Sequence, residues 1–508
     1  MSVDASKQDL LIGVVGAGAM GRGIAQVAVT GGVSVRLFDV NADQMAEAAA
    51  FIENMLGRAA EKGRMTEDEV KAAMGRLQTV TDQKELAPCE VVIEAATENL
   101  DLKKKIFGQL EDVVAEDAII ATNTSSLSVT TIASACKRPQ RVAGFHFFNP
   151  VPLMRLVEVI DGVLTESWVG DALMILAKRM TREPVRLNDV PGFLVNQVGR
   201  GYNIESQHIQ AEGVGDYVDF DRILREGAGF RMGPFELLDL TALDVTHPAT
   251  ELIYNQYYQE PRFRPSYIMR ARYEAGILGR KVGKGYYEYK DGKQVTPDEA
   301  PAPDYDGRKV WVSAVEPEGH RALTDIVQSA GAPLDRGDTP ASDSLILVTP
   351  IGDDVTTAAV AQGLDPERTL GVDTLVGIKT RRTIATNPAT KMEFRDAAHG
   401  LLTRDGVPAT VIRDCPAFVG QRVFSTICNI GCQIAQFGTA SPEDIDKAVV
   451  LGLNFPNGPL QFGEVLGPRN VLRILDSLYR FYGDPRYRAS PWLRRRAMLG
   501  ISLLTTEI

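Results

Sequence analysis

Leu11-Ile12-Gly13-Val14-Val15 runs directly into Gly16-Ala17-Gly18-Ala19-Met20-Gly21, and this stretch decides the fold. An apolar run of strand length is followed by a GxGxxG loop, after which Ile24, Val27 and Ala28 recur at helical spacing. Gly16 permits the tight turn, Gly18 lets the backbone approach a pyrophosphate, and Gly21 allows the helix to pack closely on the strand. The helix N-terminus, with Ala19 and Met20 in its first turn, offers N–H donors and the positive end of a dipole. Val33 to Phe38 reads as the next strand and ends at Asp39, 18 residues after Gly21. A carboxylate there accepts hydrogen bonds from both ribose hydroxyls and repels a 2′-phosphate, so NAD is expected rather than NADP. Val91-Val92-Ile93 and Ile119-Ile120 continue the alternation of buried strands with helical stretches, which predicts an α/β, doubly wound parallel sheet.

Leu10 to Val29 is long enough to suggest a membrane span, but it holds five glycines plus Arg22 and Gln26, with Lys7 and Asp9 before it. It reads as strand plus helix, and neither a signal peptide nor an anchor is expected. The 508 residues are 44% hydrophobic and 24% charged, which excludes wholesale disorder and a disulfide scaffold. A net charge of −11 disfavours nucleic acid and anionic membranes as partners. Cys89, Cys136, Cys415, Cys428 and Cys432 form no CxxC pair, so no metal is expected; Cys428 and Cys432, four apart, read as two buried thiols. A reducing, cytoplasmic setting fits this cysteine usage.

Past the fourth strand the motifs become specific. Asn123-Thr124-Ser125-Ser126 follows a strand end, and Gly144-Phe145-His146-Phe147-Phe148-Asn149-Pro150-Val151-Pro152, Leu156-Val157-Glu158 and Pro191-Gly192-Phe193-Leu194-Val195-Asn196 come after it. With Glu94-Ala95-Ala96-Thr97-Glu98-Asn99, Gly233-Pro234-Phe235-Glu236 and Gly279-Arg280-Lys281-Val282-Gly283, this ordered set resembles the 3-hydroxyacyl-CoA dehydrogenase family over roughly residues 8 to 290. The resemblance implies an NAD-binding Rossmann domain and a following helical domain acting on an acyl-CoA. It also implies that His146 is the catalytic base, Glu158 the carboxylate that orients it, and Ser125 and Asn196 the polar groups around the reacting oxygen. Glu98, Lys103, Asn123, Asn149 and Lys281 are implied cofactor contacts, and Lys62 an implied contact to CoA. The family's neighbouring CoA-contacting serine is Met55 here. The chemistry is coherent on its own terms. Oxidising a secondary alcohol requires a base for the hydroxyl proton, and histidine backed by a carboxylate supplies one.

The chain continues beyond the family's minimal length. Gln294 to Gly307, with Pro297, Pro301 and Pro303, reads as a linker. After it the front half returns in worn form. Asp189-Val190-Pro191-Gly192-Phe193 recurs as Asp414-Cys415-Pro416-Ala417-Phe418, an offset of 225, and Phe230, Gly233 and Pro234 recur as Phe455, Gly458 and Pro459. Leu345 to Pro350 resembles Ile119 to Thr124, and Val310-Trp311-Val312 with the helical Gly319 to Ser329 reads as an abbreviated strand–helix unit without a glycine fingerprint. The expected division is 1–190, a Rossmann domain; 191–293, a helical domain; 294–307, a linker; 308–413, a degenerate Rossmann-like segment; and 414–508, a second helical domain. On this alignment His146 falls opposite Asp373, Glu158 opposite Ala385 and Asn196 opposite Gln421, so the second copy is expected to be chemically silent.

The resemblance implies dimers formed through the helical domain, so a homodimer, or a monomer in which 414–508 packs on 191–290, is expected. The long, duplicated layout resembles bacterial members that oxidise 3-hydroxyadipyl-CoA in phenylacetate catabolism, with 3-hydroxybutyryl-CoA as the alternative substrate. A dicarboxylic acyl chain needs a cation at its far end, and Arg200, on the same probable helix as Asn196, is a candidate otherwise readable as a surface arginine. A non-catalytic NAD-binding protein is the contrasting class, and it would be expected to have lost His146, Glu158 or Asn196.

Overall fold

Short runs of apolar, β-branched residues form the central strands of the sheets, and these are buried on both faces as a parallel sheet requires. The computed structural model describes residues 3–507. It divides into two units: the first runs to Asn196 and takes in Gly438–Leu453, and the second is Gln197–Phe437 with the chain from Asn454 onward.

In the first unit the strands are β1 (Leu11–Val15), β2 (Ser34–Phe38), β3 (Leu77–Val80), β4 (Val91–Glu94), β5 (Ile119–Thr122), β6 (Val142–Phe147), β7 (Leu156–Asp161) and β8 (Glu183–Asn188). They lie in the order β3-β2-β1-β4-β5-β6-β7-β8, with β6–β7 the antiparallel pair and every other pair parallel. Strand order reverses between β1 and β4, where doubly wound sheets open their ligand crevice. Helix α1 (Ala19–Thr30) follows the glycine loop, and α2 (Ala42–Glu61) starts at Asn41, whose side chain accepts from the N–H of Asp43 and Gln44.

Helix α3 (Val195–Ala211) carries the chain from the first unit into the second, where a short hairpin, β9 (Glu288–Lys290) with β10 (Lys293–Val295), precedes a second sheet. Its strands β11 (Val310–Val312), β12 (Leu345–Val348), β13 (Thr369–Val372), β14 (Arg382–Ala385) and β15 (Ala409–Ile412) lie in sequence order, with β13–β14 alone antiparallel. This is the pattern of β4 through β8. What the second copy lacks is the β1–β3 half, which carries the glycine loop and Asp39.

The register corrects one sequence-based pairing. Gly371 pairs with Ala385 and Val372 with Ile384, and the N–H of Asp373 donates to Thr383 O at 3.0 Å. The residue in the place of Glu158 is therefore Thr383, not Ala385, because the turn joining β13 to β14 is two residues shorter than the one joining β6 to β7. Asp373 and Gln421 do stand together: Gln421 Nε2 donates to Asp373 Oδ1 at 3.0 Å and to Pro350 O at 3.3 Å. Both are buried, so the worn site is closed by its own side chains. Burial raises the Asp373 carboxyl to about 6 despite that bond and two backbone N–H donors.

Residues of the two helical stretches pack together in the second unit. A Cβ on Gly201 of α3 would come 2.8 Å from Ile430 Cδ1 on α4 (Val419–Gln436). Phe230 packs its ring against Phe424, Phe455 and Phe462 at 5.7, 4.8 and 5.5 Å between centroids. Inside this contact Arg422 donates to Glu205 at 2.6 Å, and in fork geometry to both oxygens of Glu212 at 2.7 and 2.8 Å. The 414–508 stretch does not stay together. Gly438–Leu453 joins the first unit, where α5 (Pro442–Leu453) packs on β7 and β8. Cys428 and Cys432 are both buried on α4, their sulfurs 4.0 Å apart. Among the described residues no helix is long and apolar enough to cross a membrane, and no group of His, Cys, Asp and Glu is placed to hold a metal ion.

Candidate active site

The antiparallel turn-back of β7 along β6 builds the site. It sets His146 directly opposite Glu158, and side chains of such a pair share one face of the sheet. His146 Nδ1 lies 2.7 Å from Glu158 Oε2, and both residues are buried. Phe148 and Phe193 pack on the imidazole at 4.5 and 5.8 Å. The other carboxylate oxygen, Oε1, accepts from the N–H of Leu194 at 3.2 Å and of Val195 at 3.0 Å. Those two donors are presented by a turn in which Gly192 and Phe193 take φ of 73° and 49°. Phe193 pays a steric cost there that a glycine would not. Glu158 is thus held by three donors, and with Nδ1 bound to it, Nε2 is the ring atom left to exchange a proton.

Ser125 and Asn196 are brought together: Asn196 Nδ2 donates to the backbone O of Ser125 at 3.2 Å. Glu98 ties down this loop. One of its oxygens accepts from the Thr124 hydroxyl at 2.6 Å, from the Ser125 N–H at 3.0 Å and from the Ser126 hydroxyl at 3.0 Å. Burial raises the Glu98 carboxyl, but the Thr124 hydroxyl, Lys103 and the Ser125 N–H outweigh it and leave it below the usual carboxylate value. Asn123 Oδ1 accepts from the N–H of Phe147 at 2.8 Å, fixing β6 beside the base.

Two of the three glycines in the loop have no room for a side chain. Gly16 has φ of 103°, and a Cβ there would come 2.7 Å from Ala95 O. A Cβ on Gly21 would overlap Gly16 O, whereas one on Gly18 would meet nothing within 4 Å. No side chain caps the start of α1, where Gly18 and Ala19 are exposed and Met20 is half-buried. An open, uncapped helix start fits a dinucleotide's pyrophosphate. Asp39 also ties the loop to the end of β2, its Oδ2 accepting from the Ala17 N–H at 2.8 Å and its Oδ1 from Asn41 at 2.9 Å.

Other expected contacts are placed less simply. Lys103 is 1% exposed, its ammonium 2.7 Å from Glu94 and 3.5 Å from Glu98, so its charge is spent inside the unit. A lone sequence position does not reveal this, because Glu94, its main partner, comes from the neighbouring strand β4. Asn149 and Lys62 are exposed, Lys62 at the C-terminal end of α2. Lys281 lies in the second unit and pairs there with Asp244. Arg200, also in the second unit, is not a surface residue: it is 7% exposed, and its Nε has no partner among the described residues. Burial lowers its guanidinium to about 10. Sequence reading missed the Leu194 and Val195 N–H groups. Their signal was the Pro-Gly-Phe turn, which needs left-handed backbone.

Residues 11–190 match the family profile "3-hydroxyacyl-CoA dehydrogenase, NAD binding domain", and residues 192–289 and 418–501 both match "3-hydroxyacyl-CoA dehydrogenase, C-terminal domain". The chain is 36% identical to 3-hydroxyadipyl-CoA dehydrogenase of Escherichia coli K12 over 96% of its own length and 97% of that protein's. It is 39% identical to the probable 3-hydroxybutyryl-CoA dehydrogenase of Bacillus subtilis over 55% of this chain and 96% of the other. Among solved structures, a 3-hydroxybutyryl-CoA dehydrogenase from E. coli K12 superposes with a TM-score of 0.85 at 34% identity, covering 97% of this chain and 98% of that one. The chain belongs to the 3-hydroxyacyl-CoA dehydrogenase family, and NAD is its cofactor.

Proposed function

We propose that the chain oxidises a (3S)-3-hydroxyacyl-CoA to the 3-oxoacyl-CoA, with His146 as general base, and that its substrate is 3-hydroxyadipyl-CoA in phenylacetate catabolism. The observation that carries the mechanism is the 2.7 Å contact between His146 Nδ1 and a Glu158 already fixed by two backbone donors. His146 Nε2 takes the proton of the substrate's 3-hydroxyl, and Glu158 steadies the positive charge that appears on the ring. Ser125 and Asn196 hold the oxygen as it becomes a carbonyl. NAD, when bound, accepts the hydride from C3. Gly16, Gly18, Ala19, Met20, Gly21 and Asp39 would hold its pyrophosphate and ribose, with Glu98, Asn123, Asn149 and Lys281 as further contacts. Lys103 serves by holding Glu98. Lys62 meets the CoA.

The adipyl chain is favoured by likeness at full length to a relative of that name, duplicated segment included. Arg200 is the cation assigned to the far carboxylate. It follows Asn196 by one turn of α3 and is buried without a carboxylate partner among the described residues. NADH formation across a panel of 3-hydroxyacyl-CoAs tests both parts. Preference for the adipyl over the butyryl substrate is expected, and it should shrink in Arg200→Leu. Preference for 3-hydroxybutyryl-CoA would overturn the assignment of substrate, and turnover of none would overturn the activity.

A further inference from the structure

The second copy has lost the glycine loop, the Asp39 position, the base and the base's partner, yet one of its helices packs against the catalytic sheet. Helix α5 rests on β7 and β8, and its approach is set by Gly452. A Cβ there would lie 2.8 Å from Leu156 Cδ2 and 3.0 Å from Val195 Cγ2. Both neighbours bear on the catalytic pair. Leu156 opens β7 two residues before Glu158 and so stands on the same face of that strand. Val195 supplies one of the two N–H groups that hold Glu158 Oε1, and Asn196 follows it.

The segment is anchored where it arrives. The N–H of Asn188 donates to Thr439 O and its Nδ2 to Gly438 O, each at 3.1 Å, and Lys447 reaches Glu183 at 3.6 Å. The backbone part of this arrangement occurs twice, residue for residue at the offset of 225. In the second unit the N–H of Arg413 donates to Val214 O at 2.8 Å and its Nη1 to Gly213 O at 3.3 Å. There Gly227 stands against Arg381, as Gly452 stands against Leu156. Contacts repeated in this reciprocal way are the mark of an isologous interface. One instance supports a sheet without catalytic residues, and the other supports the sheet that carries them.

We infer that α5 of the silent copy is a positioning element for the His146–Glu158 pair, and that Gly452 is the positioning residue. Its missing side chain sets the depth at which Leu156 and Val195 sit, and through them the placement of the Glu158 carboxylate. Close-packed interiors transmit such displacements, and small misplacements of catalytic groups are costly. The inference rests on the reading of His146 as base with Glu158 as its partner.

Gly452→Ala and Gly452→Val in the full chain test it, with kcat, both KM values and the pH profile of kcat measured using 3-hydroxybutyryl-CoA and 3-hydroxyadipyl-CoA. The new Cβ crowds Leu156 and Val195 in any case, so a merely structural Gly452 gives variants that lose stability but, once folded, keep the parent's kcat and pH profile. Positioning instead gives a kcat lowered about 10- to 100-fold in Gly452→Val, a smaller loss in Gly452→Ala, and a displaced pH profile. The KM for NAD stays within about twofold of the parent's. Leu156→Val, which removes the nearest of the atoms the new Cβ meets, should restore part of kcat in the Gly452→Ala double variant. Unchanged kcat would overturn the inference, as would parallel loss of kcat and NAD affinity without rescue. His146→Ala runs beside them: full activity in that variant would remove the underlying reading of the base, whatever Gly452 does.

Discussion

Glu158→Gln changes the catalytic pair while keeping its size. Glu158 is fully buried, with Oε2 2.7 Å from His146 Nδ1 and Oε1 accepting from Leu194 and Val195 at 3.2 and 3.0 Å. Those two buried N–H groups need an acceptor, since leaving each unpaired costs about 1–3 kcal/mol. The variant's amide oxygen therefore takes the place of Oε1, and its NH2 group faces His146. An NH2 only donates, so Nδ1 must accept and the ring proton moves to Nε2, the atom that has to receive the substrate's proton. The equivalent change in a Ser-His-Asp triad lowers kcat about 10⁴-fold through the wrong tautomer. A loss of about 10³- to 10⁴-fold is expected here, or about 4–5.5 kcal/mol of barrier at 1.36 kcal/mol per tenfold. Glu158 has no hydrogen bond to the glycine loop, so the KM for NAD should stay within about twofold. Steady-state NADH formation measures both constants. A kcat lowered less than about tenfold would refute the tautomer argument.

Three further outcomes follow from the structure. Gly21→Ala forces a Cβ onto Gly16 O and should destabilise the first unit by about 1–3 kcal/mol, whereas Gly18→Ala should leave Tm unchanged and weaken NAD binding; thermal melts with NAD titrations separate the two. Burial raises the Glu205 carboxyl, but Arg422 and Arg486 overcome this and hold it at about 2. A depressed acid contributes stability above its ordinary value of 4.5 that is lost as pH falls toward 2, here about 3 kcal/mol, so acid unfolding should be shallower in Glu205→Gln, read by circular dichroism. Asp373, raised to about 6 by burial, contributes in the opposite sense: its stabilisation is complete below 3.8 and lost as pH rises through 6. Asp373→Asn should therefore raise Tm at pH 8 with kcat unchanged.

The parts of this protein legible in its sequence are those made by neighbours in the chain. The run from Leu11 to Asp39 is one strand–loop–helix–strand unit, in which Gly21 answers to Gly16 within the loop and Gly16 to the backbone just after the adjoining strand β4. His146 and Glu158 were legible as types. Their direct opposition depends on β7 turning back along β6, which no local pattern states. The second copy was recognisable from its offset of 225, but the two-residue shortening after Asp373 moved the Glu158 position from Ala385 to Thr383, because register follows the sheet and not the count. Lys103 looked like a free cofactor contact since its partner Glu94 is buried on another element. Arg200 looked exposed because the helix that carries it gives no sign of which face is covered. The exchange of Gly438–Leu453 onto the catalytic sheet was hidden altogether, being a contact between two repeats that each read normally alone.

The central claim is that one chain holds one active site, built by the first copy and only supported by the second. Calorimetric titration of the full chain with NAD measures this most directly. One NAD bound per chain is expected, with binding lost in Gly21→Ala. Two sites per chain, or one that survives disruption of the first glycine loop, would contradict it.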